Sequence, residues 1–104
     1  MRAAMARKPS SAQFHRLQKE TRMLVANGFD DAIIGYAEPI GMSEPVVIYD
    51  RQKVIDILIS QEMTEEEAIE YFDYNIAGSY MGEGTPIYMH RANREQVNEF
   101  ADSR

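Results

Sequence analysis

The stretch VVIYDRQKVIDILISQEMTEEEAIEYFDYNIAG, residues 46–78, decides the fold. Its first four residues are β-branched or aromatic and read as a strand. Asp50 follows directly, where a short carboxylate can accept from the exposed N–H groups of a helix start. Val54, Ile55, Leu58 and Ile59 then recur at helical spacing beside Arg51 and Lys53, until Ser60 and Gln61 interrupt the pattern. Thr64 and Glu67 stand in the Thr-x-x-Glu relation of a capping box, in which each side chain satisfies the other residue's backbone N–H, so a second helix starts at Thr64. Glu65, Glu66 and Glu67 occupy its first turn, where the helix dipole favours each negative charge by about 0.3–1 kcal/mol. Ala68, Ile69, Phe72 and Ile76 form the stripe to be buried, with Tyr71, Asn75 and Gly78 on a neighbouring line. The stretch is thus strand, helix, helix.

Upstream, residues 32–37 (AIIGYA) read as a strand joined to residues 46–49 by a long loop holding Pro39, Gly41, Ser43 and Pro45, a hairpin with an extended connection. Gly35 inside that strand signals a bulge or a close approach, and we read it as packing. Earlier still, Phe14, Leu17, Leu24 and Val25, with Thr21 between them, recur every three to four residues. Ser10 or Ser11 can cap such a helix and Asn27–Gly28 can close it, which predicts an amphipathic helix over residues 10–27. Downstream, residues 79–85 (SYMGEGT) are a glycine-punctuated loop, residues 86–90 a third strand, and residues 92–100 a short final helix. The predicted fold class is α+β: a three-stranded, mostly antiparallel sheet with the two central helices on one face and the N-terminal helix at its side or against a second subunit. The order is α-β-β-α-α-β. Residues 1–10 are expected to be a flexible basic tail and residues 11–104 a single domain. Within the tail, Met5 followed by ARKPSS reads as a natural opening.

Charge divides the chain. Residues 1–22 carry six Lys or Arg against one acid, and residues 23–104 carry five against sixteen, so the formal net charge of −6 joins a +5 start to a −11 body. From Asp56 to Asp73 there are seven acids (Asp56, Glu62, Glu65, Glu66, Glu67, Glu70, Asp73) and no Lys or Arg. Such asymmetry points to a charged partner, to pairing of the basic start with the acidic body, or to a solvated face. The acidic sign argues against direct nucleic-acid binding, since phosphate is held by net positive charge. The absence of cysteine excludes disulfides, thiolate metal sites and thiol nucleophiles. Apolar runs are too short for a signal core or a membrane span, so the expectation is a cytoplasmic protein without membrane contact.

Four segments together carry a family resemblance: AIIGYAE, YDRQKVIDIL, MTEEEAIEYFDYNIAG and GEGTPIY. Glu70-Tyr71-Phe72 with Asn75 and Gly78, then Gly82-Glu83 before Thr85-Pro86, are its most specific part. In these segments, from residue 32 to residue 88, the chain resembles small uncharacterised proteins encoded by tailed phages and prophages. The resemblance implies a phage-related origin and a compact domain, with a host cytoplasm as its setting, and implies no particular activity. The basic start lies outside it.

The inventory for catalysis is thin. His15 and His90 are the only imidazoles, and neither stands near a serine in an elbow motif. Glu70 and Asp73 offer two oxygens three residues apart on a helix without a histidine at ligand spacing, so no metal and no cofactor is assigned. The Gly82-Glu83-Gly84 loop runs into a strand and carries a carboxylate, unlike a phosphate cradle. Three readings stay open. The first is a non-enzymatic module that binds or modulates a protein partner through the acidic surface of Glu62, Glu65, Glu66, Glu70 and Asp73. The second is a nucleic-acid mimic whose carboxylates occupy a DNA-binding host protein. The third is a small-ligand binder or enzyme with its site at Tyr71, Asn75, Glu83 and Thr85, where Glu70 and Glu83 are available as paired carboxylates. Asn75 is more economically explained by the plainer task of holding the glycine loop by backbone hydrogen bonds. Six tyrosines and seven methionines also give material for a homo-oligomer contact.

Overall fold

The computed structural model of the chain describes residues 14–17, 21–39, 41, 44–79 and 82–104. In chain order these form β1 (Phe14–Arg16), β2 (Leu24–Ala26), a 3-10 turn (Asp30–Ala32), β3 (Ile33–Ala37), β4 (Val46–Asp50), α1 (Arg51–Ser60), α2 (Glu65–Tyr71), a π-helical continuation of α2 (Phe72–Ala77), β5 (Ile87–Met89) and α3 (Arg94–Asp102). The class is α+β, with three helices and two sheets among the described residues.

The central stretch folds as its residues dictate. Asp50 caps α1, its Oδ1 accepting from the N–H groups of Gln52 and Lys53 at 3.0 and 3.4 Å. Thr64 Oγ1 accepts from Glu67 N–H at 3.1 Å while the Glu67 carboxylate accepts from Thr64 N–H at 2.9 Å, which completes the capping box of α2. Val54, Ile55 and Leu58 of α1, with Ala68, Phe72 and Ile76, are buried against Val47 and Tyr49 of β4 in one core cluster. Each such side chain contributes about 1.5–3 kcal/mol on leaving water. Tyr49 stacks on Tyr88 of β5 with ring centroids 5.5 Å apart, and Tyr88 meets Phe72 edge-on at 5.2 Å. The two central helices therefore cover the face of the sheet that presents Val47, Tyr49 and Tyr88.

Three expectations are corrected. In place of the helix predicted over residues 10–27, β1 and β2 form an antiparallel two-stranded sheet with Phe14 opposite Ala26. Helical spacing is satisfied by Phe14, Leu17, Leu24 and Val25, but Leu17 is 51% exposed, whereas Phe14, Val25 and Ala26 are buried. The backbone of this segment finds distant partners instead of local ones. Leu24 N–H donates to Gly84 O at 3.0 Å and Ala26 N–H to the Tyr49 hydroxyl at 2.7 Å. The predicted tail, residues 1–10, lies outside the described residues.

The three-stranded sheet, ordered β3-β4-β5, is mixed rather than mostly antiparallel: β3 runs antiparallel to β4, and β5 parallel to it. The two helices between β4 and β5 return the chain to the starting end of β4, so the next strand runs in the same direction. Gly35, in turn, marks a bulge and not a packing contact. The register of β3 against β4 shifts between Ile33 and Gly35, and a Cβ at Gly35 would meet nothing within 4 Å.

The close approach lies elsewhere, at Gly84. A Cβ there would stand 1.9 Å from the Arg22 carbonyl oxygen, and the residue has φ +89°. Only glycine lets this loop lie flat on the start of β2 and accept from Leu24. The final helix, α3, is capped by Asn93 and Gln96 and has no buried residue.

Candidate functional site

The acidic residues gather on the solvent side of the helical layer. Because Thr64 fixes the first turn of α2, and Ala68, Tyr71, Phe72, Asn75 and Ile76 turn inward, Glu66, Glu70 and Asp73 fall on the opposite line at spacings of four and three. Neighbouring Cβ atoms at such spacings lie about 5–6 Å apart. Glu62 lies in the turn before α2, outside its helical line, and Glu65 opens the first turn. All five are exposed. Among the described residues the ion pairs are Arg22–Glu83 and Arg91–Asp50, and neither involves this stripe. Glu62 also holds φ at +75°, the left-handed conformation that closes α1.

The ligand corner is divided between core and surface. Tyr71 and Asn75 are 8% and 0% exposed, within the helical layer. The Asn75 carbonyl accepts from Ser79 Oγ at 2.9 Å, which ties down the end of the π-helical segment. Glu83 is exposed and Thr85 half-buried. They line a cleft of about 250 Å³ with Pro39, Glu44, Val46, Gly82, Gly84 and Ile87, a wall that includes neither Tyr71 nor Asn75. Glu83 also meets the Arg22 guanidinium at 3.5 Å across exposed surface, one direct link between the basic start and the acidic body. Two carboxylates, a threonine hydroxyl and apolar walls offer no imidazole base. Among the described residues no group of three His, Asp or Glu is arranged to hold a metal ion, and no helix is long and apolar enough to cross a membrane.

Two features escaped the sequence. The first is the pair of Asp50 with Arg91, whose Nε donates to Asp50 Oδ2 at 2.8 Å. That hydrogen bond is the main reason the Asp50 carboxyl is held below its ordinary value, helped by the N–H groups of Lys53 and Gln52 and opposed by burial. The cap was legible, but its partner stands 41 residues away. The second is an apolar groove of about 500 Å³ running beside β3, with Leu17, Met23, Val25, Ile33, Tyr36 and Val47 in its wall. Its residues come from β2, β3 and β4 and from Leu17 and Met23 between β1 and β2, and no linear pattern joins them.

Comparison of the chain with protein-family models, with curated proteins and with solved structures gave no match. The fold and the site define an α+β protein with a carboxylate-striped helical face.

Proposed function

We propose that this chain is a non-enzymatic binding module, of the phage type that residues 32–88 resemble, which engages or modulates a basic protein partner in the host cytoplasm. The observation that carries the reading is the stripe of Glu66, Glu70 and Asp73, with Glu65 in the first turn and Glu62 in the turn before it, all exposed and without a cation from the described residues. Sequence reinforces it, because no Lys or Arg occurs between Lys53 and Arg91. A field of one sign steers an oppositely charged partner and sets the register of docking. The stripe is tested by capture of host proteins on the full chain and on a Glu65→Gln, Glu66→Gln, Glu70→Gln variant, at about 0.1 and 1 M salt, where charges are screened beyond about 10 and 3 Å. Partners held through the stripe are lost in the variant and at high salt. Capture indifferent to both changes overturns the reading.

Nucleic-acid mimicry is the second reading, favoured by the spacing of Glu66, Glu70 and Asp73 at intervals of about one helical turn, with Glu62 and Glu65 close by in sequence. A mimic's captured partner is displaced by duplex DNA at low salt, and one held only as a protein ligand is not. The small-ligand reading at Tyr71, Asn75, Glu83 and Thr85 ranks behind both, because two of its four residues face the core.

A further inference from the structure

Strand β3 is one edge of the three-stranded sheet, and among the described residues no strand pairs with its outer side. Edge strands are commonly protected by lysine, by proline, or by a covering element. β3, IIGYA, contains neither residue. Its one irregularity, the bulge between Ile33 and Gly35, leaves Gly35, Tyr36 and Ala37 in continuous register with β4. Ile33, Ile34 and Tyr36 are 39, 38 and 67% exposed, so apolar side chains of this strand stand in water, and two of them, Ile33 and Tyr36, line the groove. Alongside runs the 500 Å³ groove, into which the hairpin of β1 and β2 sends Leu17, Met23 and Val25. A backbone edge unpaired among the described residues, beside an apolar channel, is the geometry that accepts an added strand.

Charge selects the occupant. No Lys or Arg occurs between Arg22 and Arg51, whereas Asp30 and Asp31 lie in the turn that leads into β3 and Glu38 immediately follows it. A second copy of this chain is a poor fit: antiparallel pairing of two β3 strands sets Asp30 and Asp31 of one against Glu38 of the other, and parallel pairing sets like ends together. We propose that the groove along β3 binds an extended apolar segment of a partner protein, flanked at both ends by Lys or Arg, as an additional strand on this edge. The surface is separate from the carboxylate stripe of α2, so the two fail independently.

The test uses the full chain and a labelled peptide, Lys-Lys-Val-Thr-Val-Thr-Val-Lys-Lys, with fluorescence anisotropy as the readout. Two control peptides carry Glu in place of every Lys, or Pro in place of the central Val. The cationic peptide is expected to bind at least tenfold more tightly than either control. Tyr36→Lys and, separately, Ile34→Lys weaken it at least tenfold while circular dichroism and the thermal midpoint stay near wild type. The Glu65→Gln, Glu66→Gln, Glu70→Gln variant binds it within about twofold of wild type. Absence of binding at millimolar peptide overturns the proposal, as does equal affinity for the proline control. So does loss in the triple variant without loss in Tyr36→Lys and Ile34→Lys, which would assign the peptide to the stripe. A concentration-dependent dimer in sedimentation that Tyr36→Lys abolishes would assign the edge to a second copy and overturn it as well.

Discussion

Tyr49 and Tyr88 stack on one another in the core, yet their hydroxyls differ in what they do. Tyr49 Oη accepts the Ala26 N–H at 2.7 Å and so fastens β2 to β4. Tyr88 Oη is buried with no hydrogen-bond partner among the described residues. Burial raises both phenols, and for Tyr88 the nearby Tyr49 raises it further. Removing a partner strands a buried donor at about 1–3 kcal/mol, whereas removing an unpartnered hydroxyl removes only a desolvation cost. Urea unfolding should therefore find Tyr49→Phe destabilised by about 1–3 kcal/mol and Tyr88→Phe unchanged or more stable. Loss of stability in Tyr88→Phe comparable to that in Tyr49→Phe would contradict the assignment. Asp50 gives a second residue-scale expectation, this time in pH. Its carboxyl is held below its ordinary 3.8, so its contribution is complete above about pH 4 and is lost as pH falls through the lowered folded-state value. Acid unfolding of Asp50→Asn should have a shallower limb below pH 4 than wild type, with the two curves parallel between pH 5 and 8.

At the scale of elements, the deciding contact is the one that docks the 82–85 loop on β2. Gly84 permits it by leaving room for the Arg22 carbonyl, and a methyl group there meets backbone, which cannot swing aside as a side chain can. Gly84→Ala should lower stability by 2 kcal/mol or more, about the range of strained or overpacked sites, and should expose the Leu24 amide to hydrogen exchange. Protection at Leu24 equal to wild type would show that the loop does not need glycine. The turn between α1 and α2 behaves in the opposite way, because there a left-handed residue is not glycine. Glu62→Gly should raise stability by about 1 kcal/mol, since a non-glycine residue in that conformation costs about 1–2 kcal/mol, measured by thermal melting. Glu62→Asn, which tolerates the conformation without charge, then separates backbone strain from any part the carboxylate plays in binding.

Across the whole molecule the balance is electrostatic. Sixteen acids and five Lys or Arg follow residue 22, and the pair Arg22–Glu83 lies on exposed surface where a salt bridge contributes about 0–1 kcal/mol. Self-repulsion among the acids should then outweigh attraction. Raising salt from about 0.05 to 0.5 M, which contracts the screening length from above 10 Å to below 8 Å, should raise the thermal midpoint, and a fall would mean that ion pairs dominate. The same salt weakens any basic partner, so stability and binding move in opposite directions.

The sequence by itself determined the central strand and helices. Asp50, the Thr64 and Glu67 box, and the apolar positions from Val54 to Ile76 act over three or four residues, and the forces that read them are local. It also placed β3 and β5 nearly to the residue, and drew the acidic stripe once the start of α2 was known. What only the tertiary structure decided depends on partners far along the chain. Whether the segment of Phe14 and Val25 is helix or hairpin was settled by Gly84 and Tyr49, which take the N–H groups of Leu24 and Ala26. The parallel course of β5, the division of Tyr71 and Asn75 from Glu83 and Thr85, and the groove beside β3 were settled in the same way. Spacing along a chain reports which side chains share a face; which face meets which is fixed by burial of the whole, and that is a property of the folded molecule.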